Sequence, residues 1–233
     1  MDFPSLFLID ISMKKFAIIV AGGSGSRMGS TIPKQFLPIS GKPILLHTIE
    51  KFLGITGIDV VVVLPQQAID YWQDQDFKLA RPIKIVVGGA TRFQSVKNGL
   101  AAIAEPQGLV AVHDGVRPFV SEVIIQKGFE VANEKGSAIT CVPSKDSIRE
   151  IRLMGKSKAV DRSRFKLVQT PQTFDLANMK KAFEVADEPF FTDCASVMEH
   201  SDFTINLIDG SYENIKITTP EDLLWAESFL GKQ

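Results

Sequence analysis

The chain has 233 residues, with 26 lysines and arginines against 27 aspartates and glutamates, so its formal net charge at neutral pH is −1. Hydrophobic residues make up 45% of the sequence and charged residues 23%, which excludes a disordered chain, a collagen-like chain and a small disulfide-stapled scaffold. Binding to nucleic acid through the phosphate backbone needs a strong excess of basic residues. We therefore expect no nucleic-acid partner.

The cysteines and histidines indicate neither a disulfide framework nor a zinc site. Two cysteines, Cys141 and Cys194, are too few for a disulfide scaffold and favour a reducing, cytoplasmic setting. The three histidines do not have the spacing of zinc ligands. No apolar run approaches the ~18 residues that a membrane-spanning helix needs, so we expect no membrane association.

The first twelve residues, MDFPSLFLIDIS, differ in pattern from the rest of the chain. They contain a short apolar run but lack the basic start and small-residue cleavage site of a secretory signal. Met13, with two lysines and an apolar run directly after it, is a more natural beginning of the domain. We expect residues 1–12 to be a dispensable extension and residues 13–233 to form a single domain.

Apolar runs of strand length alternate with helical patterns through the first half of the chain. Because the runs are continuously apolar, they predict a sheet that is covered on both faces. The predicted strands are Phe16–Ala21, Val60–Leu64, Ile83–Val87 and Leu109–Val112, and the predicted helices are Ile44–Phe52, Thr91–Ala104 and Ser121–Glu134. We expect Thr91 and Gln94 to form a capping box. The alternation is typical of a Rossmann-like α/β fold, in which helices flank a mostly parallel sheet.

Residues 143–171 break this alternation with a basic segment whose apolar residues alternate around Met154 and Gly155. The pattern predicts a β-arm that projects from the sheet. A lone hairpin cannot bury itself, so we expect the arm to pack on a second copy of the chain and form a homodimer. Beyond the arm, the sequence predicts helices near Asp175–Ala186 and Asp193–His200 and strands at Thr204–Ile208 and Ile215–Ile217. A last helix is expected after Thr219, which would be its N-cap, with Pro220, Glu221 and Asp222 in the first turn.

A glycine-rich loop, AGGSGSRMG, directly succeeds the first predicted strand. Ligands of open α/β sheets bind at the carboxyl ends of strands, and glycines let backbone amides approach phosphates closely. The glycine spacing matches neither the dinucleotide fingerprint nor the Walker A loop. Arg27 inside the loop and Lys34 shortly after it add two cations, which together indicate a site for a nucleoside triphosphate.

Further segments occur after this loop in a fixed order. They are PKQFLPISGKPIL, GGATRFQSV, HDGVRP, VDR, QTPQ, TDCAS and NIKIT. Together with the loop they resemble the 2-C-methyl-D-erythritol 4-phosphate cytidylyltransferase family of the non-mevalonate isoprenoid pathway, from Met13 to the C-terminus. The resemblance implies that a phosphate oxygen of methylerythritol phosphate attacks the α-phosphorus of CTP and that pyrophosphate leaves. Mg²⁺ would bridge triphosphate oxygens, and catalysis would consist of positioning and charge stabilisation.

The same resemblance implies roles for individual residues. The catalytic set would be Arg27, Lys34, Arg162 and Lys216, with Arg162 acting across a dimer interface. The nucleotide would be bound, largely through backbone groups, by Ala21, Gly22, Gly23, Gly25, Gly89, Arg92, Ser95 and Asp114. Methylerythritol phosphate would be bound by Asp114, Arg117, Ser147, Arg162, Thr170 and Lys216. Asp114 would also be the protein contact of a metal ion held mainly by the triphosphate.

Three positions depart from the usual pattern of the family, and other functions remain open. Ala90 and Cys194 stand where relatives often have acidic residues, and Ser147 stands where threonine is frequent.

A ribitol-5-phosphate cytidylyltransferase would share the glycine loop, although Val160-Asp161-Arg162 favours methylerythritol phosphate as the acceptor. A hexose-1-phosphate nucleotidyltransferase shares only the first motif. A non-catalytic nucleotide-binding module would release no pyrophosphate.

Overall fold

The computed structural model describes residues 13–22 and 32–231. The predictions for residues 1–12 and for Gly23, Gly25 and Arg27 lie outside these described residues. The strands are β1 Lys15–Val20, β2 Pro38–Ile39, β3 Lys42–Pro43, β4 Ile58–Leu64, β5 Lys84–Val87, β6 Leu109–Asp114, β7 Ser137–Pro143, β8 Ile148–Ile151, β9 Ser157–Val160, β10 Lys166–Asp175 and β11 Leu207–Asp209. The helices are α1 Ile44–Leu53, α2 Gln66–Gln73, α3 Arg92–Ala101, α4 Glu122–Lys135, α5 Leu176–Ala182, α6 Cys194–His200 and α7 Pro220–Leu230.

Seven strands form one sheet in the order β11-β7-β10-β6-β1-β4-β5. Strand β1 runs parallel to β4 and β6, β5 runs parallel to β4, and β11 runs parallel to β7. Only β10 runs antiparallel to its neighbours in this sheet, β6 and β7. The predicted α/β class with a mostly parallel sheet is confirmed. The carboxyl ends of β1, β4, β5 and β6 meet at one edge, where ligands of such sheets bind.

Alternate residues of the central strands supply two separate hydrophobic cores. In β1, Ala17 and Ile19 belong to the core that α1 and α4 cover, whereas Phe16 and Ile18 belong to the core of α3, α5 and α6. Side chains of a strand point to opposite faces in turn, so a strand covered on both faces must be apolar at every position. This explains the continuous apolar runs of the sequence.

A glycine sets the distance between α3 and the sheet. A Cβ atom at Gly99 would lie 2.7 Å from Cγ2 of Ile18 and 3.1 Å from Cγ2 of Val63. The helix could not approach β1 and β4 so closely with any side chain at this position. The close packing fixes the start of α3, and with it Arg92 and Ser95, at the carboxyl edge of the sheet.

The arm is a two-stranded hairpin, but it is shorter than the sequence predicts. Strands β8 and β9 pair antiparallel, and the tip residues Met154 and Gly155 have positive φ angles of 61° and 73°. The predicted end at residue 171 is wrong, because Leu167 and Val168 already pair with β7 in the main sheet. The arm therefore comprises about residues 144–165.

Two predictions in the C-terminal third also differ from the structure. The expected strand Ile215–Ile217 is absent from the described part of the chain, where the backbone N–H of Ile217 donates to the Val116 carbonyl at 2.9 Å. This segment passes the end of β6 instead of joining the sheet. The preceding strand lies at Leu207–Asp209 and not at Thr204–Ile208.

Two further expectations concern cysteine chemistry and membranes. Cys141 and Cys194 are both free thiols, and both are buried. Among the helices of the two described stretches, none has the length and hydropathy to cross a bilayer.

Candidate active site

A cleft of about 450 Å³ opens at the carboxyl edge of the sheet, a size typical of small-molecule sites. Eight of the residues predicted from the sequence line it together: Ala21, Gly22, Lys34, Gly89, Arg92, Ser95, Asp114 and Lys216. The other described residues of the wall are Val20, Gln35, Ala90, Thr91 and Val116. The cleft thus unites segments that are up to about two hundred residues apart in the chain.

Asp114, the last residue of β6, is surrounded by three cations. Its Oδ2 lies 3.1 Å from Nζ of Lys216 and 3.2 Å from Nε of Arg117, and its Oδ1 lies 3.8 Å from Nε of Arg92. The carboxylate is buried, whereas the Lys216 side chain is 42% exposed. The ammonium group of Lys216 can therefore contact both Asp114 and a ligand in the cleft.

The three cations keep Asp114 ionised. Burial by itself raises the pKa of a carboxyl, because it removes water from the charged form. Here Arg92, Lys216 and Arg117 outweigh burial and hold the pKa of Asp114 well below its usual range. The cleft therefore has a fixed anion that orients the surrounding cations near neutral pH.

His113 and Thr170 support Asp114 from inside the protein. Nε2 of His113 lies 3.0 Å from the Arg117 carbonyl, which only accepts hydrogen bonds, so Nε2 carries the proton. Burial lowers the pKa of His113 to about 4, so its Nδ1 is free to accept a bond from the Thr170 hydroxyl, 3.1 Å away. The same hydroxyl oxygen accepts the backbone N–H of Asp114 at 3.0 Å. Both residues hold the end of β6 in place.

A second set of bonds fixes the segment that carries Lys216. Nη1 of Arg117 donates to the Asn214 carbonyl at 2.7 Å, and Nδ2 of Asn214 donates to the Thr170 carbonyl at 2.8 Å. Arg117 and Thr170 do not line the cleft among the described residues. Their observed contacts are with Asp114 and with the backbone on either side of it.

The loop between β5 and α3 forms the opposite wall of the cleft. The backbone N–H of Gly89 donates to Oγ of Ser95 at 3.1 Å, and this hydroxyl donates to the Thr91 carbonyl at 2.9 Å. A Cβ atom at Gly89 would lie 2.3 Å from Cβ of Gln94, so the loop needs glycine there.

The cap of α3 differs in one respect from the capping box predicted from the sequence. Thr91 does accept the backbone N–H of Gln94, at 3.1 Å. However, Oε1 of Gln94 accepts the N–H of Ala90 at 3.0 Å and not that of Thr91. The reciprocal bond of the predicted box is therefore shifted by one residue towards the N-terminus.

Cys194 lies at the start of α6, below Arg92. Nη1 of Arg92 donates to Sγ of Cys194 at 3.2 Å. Burial raises the pKa of the Cys194 thiol, so the sulfur is a neutral neighbour of the guanidinium. The charge of Arg92 is consequently directed towards Asp114 and the cleft.

The structure does not bring all predicted residues together. Ser147 and Arg162 are exposed residues of the arm and lie outside the cleft wall described for the single chain. Nη1 of Arg162 donates to the Lys145 carbonyl at the base of the arm. Gly23, Gly25 and Arg27 stay predictions, since the described ranges do not include them.

Gln35 is a cleft residue that the sequence analysis missed. It is 1% exposed, and neither Nε2 nor Oε1 has a hydrogen-bond partner within residues 13–22 and 32–231. An unpaired buried amide is costly and requires an explanation, and a bound ligand would supply one here. The only indication in the sequence that Gln35 belongs to the cleft is its position directly after Lys34 in the PKQ motif.

The one acidic residue of the described cleft wall is suited to a metal ion that a bound ligand holds for the most part. Asp114 is the sole carboxylate among the described wall residues, and no group of three potential metal ligands occurs in the described ranges. Mg²⁺ is commonly held by one or two carboxylates together with substrate phosphates. The residues present fit that arrangement and not a metal cage made by the protein.

We predict that His113 makes the stability of the protein depend on pH in the mildly acidic range. Its pKa is about 4 when folded and 6.5 in its usual state, so unfolding takes up a proton between these values. The free energy of unfolding should therefore fall by about 2 kcal/mol from about pH 7 to about pH 5 through this residue. Asp114 affects the free energy of unfolding only below about pH 3.8, where the unfolded chain begins to bind a proton that the folded chain does not.

Urea unfolding of the wild type and of His113→Gln at both pH values checks this prediction. Glutamine retains an N–H donor for Arg117 but does not titrate. The variant should lose much less stability than the wild type on acidification. Equal losses in the two proteins would contradict a neutral buried His113.

We predict that Gln35→Met raises the melting temperature of the substrate-free protein by about 2–4 °C, because it removes two unpaired polar atoms at similar volume. Thr173→Val is the matched control, since Oγ1 of Thr173 is also buried without a partner in the described structure but lies away from the cleft wall. Differential scanning calorimetry measures both. A lower melting temperature for Gln35→Met alone would show that the chain itself satisfies this amide.

Comparisons with known proteins show which family the chain belongs to. The family model of 2-C-methyl-D-erythritol 4-phosphate cytidylyltransferase matches residues 15–232. The enzyme of that name from Bacteroides thetaiotaomicron is 46% identical over 214 residues, which cover 91% of this chain and 97% of the relative. The one from Syntrophus aciditrophicus is 40% identical over 227 residues, or 94% of this chain and 97% of the relative.

Solved structures show the same relationship. A 4-diphosphocytidyl-2C-methyl-D-erythritol synthase from Anaerococcus prevotii superposes with a TM-score of 0.83 at 32% identity, covering 94% of this chain and 96% of that one. The cytidylyltransferase from Thermus thermophilus gives a TM-score of 0.74 at 29% identity over 94% and 98% of the two chains. The fold, the cleft and these matches together show that the chain belongs to the 2-C-methyl-D-erythritol 4-phosphate cytidylyltransferase family.

Proposed function

We propose that the cleft around Asp114 is the place where this enzyme joins its two substrates. As a member of its family the chain is a cytidylyltransferase, which transfers CMP from CTP to 2-C-methyl-D-erythritol 4-phosphate in the synthesis of isoprenoid precursors. The observation that supports this location is the convergence of Lys34, Arg92 and Lys216 on one cleft at the carboxyl edge of the sheet. Both substrates and the leaving pyrophosphate are polyanions.

The reaction is a displacement at phosphorus. An oxygen of the acceptor phosphate forms a bond to the α-phosphorus of CTP, the bond from that phosphorus to the bridging oxygen breaks, and pyrophosphate leaves with the electron pair. Negative charge increases on the oxygens around the α-phosphorus and on the leaving group. Fixed cations stabilise this charge best when they do not have to reorganise.

Lys34 and Lys216 are the described residues best placed for this task. Asp114 holds the Lys216 ammonium at 3.1 Å, and the exposed part of that side chain leaves donors for a phosphate. Arg117 and Thr170 keep the supporting backbone rigid. Arg27 belongs to the same proposed set on the strength of the sequence motif.

The nucleotide is proposed to lie between the end of β1 and the loop before α3. Ala21, Gly22 and Gly89 offer backbone groups there, and Ser95 organises the loop from within. The divalent cation, Mg²⁺ by preference, enters with the triphosphate as part of the substrate, and it would neutralise phosphate charge while Asp114 offers the protein carboxylate.

The arm is proposed to complete the site from a second copy of the chain. Its tip exposes large apolar side chains, with Leu153 91% and Met154 93% exposed. A homodimer would cover this surface and would let Ser147 and Arg162 reach the acceptor phosphate of the neighbouring cleft. The free buried thiols support a reducing, cytoplasmic location for the enzyme.

We predict that Lys216→Ala lowers kcat by about two to three orders of magnitude, because it removes a cation that stabilises the developing charge. The measurement is pyrophosphate release from CTP with methylerythritol phosphate, and with ribitol 5-phosphate as the rival acceptor. Lys42→Ala is the control, since Lys42 pairs with Glu50 on the surface. Near-normal turnover of Lys216→Ala would show that Lys216 has no role in the reaction. A preference for ribitol 5-phosphate would show that methylerythritol phosphate is not the acceptor.

We predict that Leu153→Asp combined with Met154→Asp converts the dimer to a monomer, because charges would be buried at an apolar contact. Sedimentation velocity measures the oligomeric state, and CTP titration shows whether the cleft itself is intact. The monomer should bind CTP normally but have a raised KM for methylerythritol phosphate. Lys156→Asp is the control at a nearby exposed position, and a double variant that stays dimeric would refute the role of the arm tip.

A further inference from the structure

The segment between α5 and α6 contacts the loop before α3 through a single carboxylate. Oδ2 of Asp187 accepts the hydroxyl of Thr91 at 2.5 Å and the amide Nε2 of Gln94 at 3.3 Å. Asp187 does not line the cleft among the described residues, whereas Thr91 does. The carboxylate therefore contacts the loop from behind.

This carboxylate decides which way the Gln94 amide faces. The two ends of a carboxamide differ only in that one donates and the other accepts hydrogen bonds. Because a carboxylate only accepts, it turns the NH₂ group of Gln94 towards Asp187 and leaves Oε1 for the N–H of Ala90, 3.0 Å away. Thr91 in turn donates to Asp187 while its oxygen accepts the N–H of Gln94.

The result is a loop in which two backbone amides are already occupied. The N–H groups of Gly89 and Ala90 are bound by Ser95 and Gln94. In the part of the chain that the structure describes, the carbonyls of Gly89 and Ala90 accept no hydrogen bond. The loop thus offers acceptors to a ligand, which suits the amino group of cytosine and not the carbonyl oxygen at the same place in uracil.

We propose that Asp187 is a positioning residue for nucleotide selection: through Thr91 and Gln94 it holds the loop in the state that prefers CTP over UTP. The inference rests on the proposed function, because it takes this loop as the nucleotide side of the cleft. Without the carboxylate, the Gln94 amide can turn over, and the Ala90 amide is released to face the ligand as a donor.

The test compares Asp187→Ala with the wild type by calorimetric titration of CTP and UTP and by steady-state kinetics. The variant should raise the Kd and KM for CTP about ten-fold, which is the usual effect of losing a hydrogen bond to a charged group, and should bind UTP nearly as before. At saturating CTP, kcat and the KM for the acceptor should remain near the wild-type values. Asp187→Asn, which retains one acceptor oxygen, should be intermediate.

Two controls separate positioning from general damage. Glu184→Ala removes an exposed carboxylate from the same segment and should change the Kd of neither CTP nor UTP. In a Gln94→Ala background, Asp187→Ala should have a much smaller additional effect on the ratio of CTP to UTP affinity, because the two residues act through one bond network.

An unchanged ratio of CTP to UTP affinity in Asp187→Ala would overturn the inference, as would full additivity of the two substitutions. Because binding is measured directly, a wild-type protein that binds CTP but releases no pyrophosphate would contradict the proposed function and leave this test valid.

Discussion

The buried carboxylate of Asp114 is the interaction on which the site depends. A single negative charge at the end of a central strand holds cations from α3, from the turn after β6 and from the segment before α7. Each cation would repel the others if the carboxylate were absent, and an unpaired buried charge would be costly in turn. Charge balance therefore holds these three segments at one point.

The antiparallel strand β10 extends this arrangement across the sheet. It leaves the arm at Lys166, pairs with β7 and then lies beside β6, where Thr170 contacts both His113 and the backbone of Asp114. Gln172 on the same strand accepts the backbone N–H of Cys194 at the start of α6. One strand thus connects the projecting hairpin, the charged end of β6 and the helix below Arg92.

The predictable parts of the fold are those where burial alone determines which residue types occur. Strands β1, β4 and β6 are apolar at nearly every position because both faces are covered, and Thr219 caps α7 with Pro220 and Asp222 as the sequence indicates. A helix cap depends on a few neighbouring residues, so it can be recognised in the sequence without knowledge of the fold.

Strand β10 was not predicted from the sequence because most of its buried residues are polar and lie near the site. Gln169, Thr170 and Gln172 are buried but polar, and Pro171 interrupts them, so the pattern is typical of a loop. Gln35 was missed for the same reason, since a buried amide has no distinctive pattern in one sequence. The site residues that were predicted came from the ordered motifs, and eight of them line the one cleft. Prediction from the pattern of apolar residues fails where function requires polar side chains in the interior.

The distribution of charge has a consequence for how substrates arrive. The chain as a whole is slightly negative, yet the described cleft wall carries Lys34, Arg92 and Lys216 against one carboxylate. The remaining residues must then be more acidic in sum than the total suggests, although the exposed arm is itself basic. The field of the cleft cations guides diffusing nucleotides towards the cleft, so the encounter rate should fall as ionic strength rises, while the chemistry inside stays shielded from added salt.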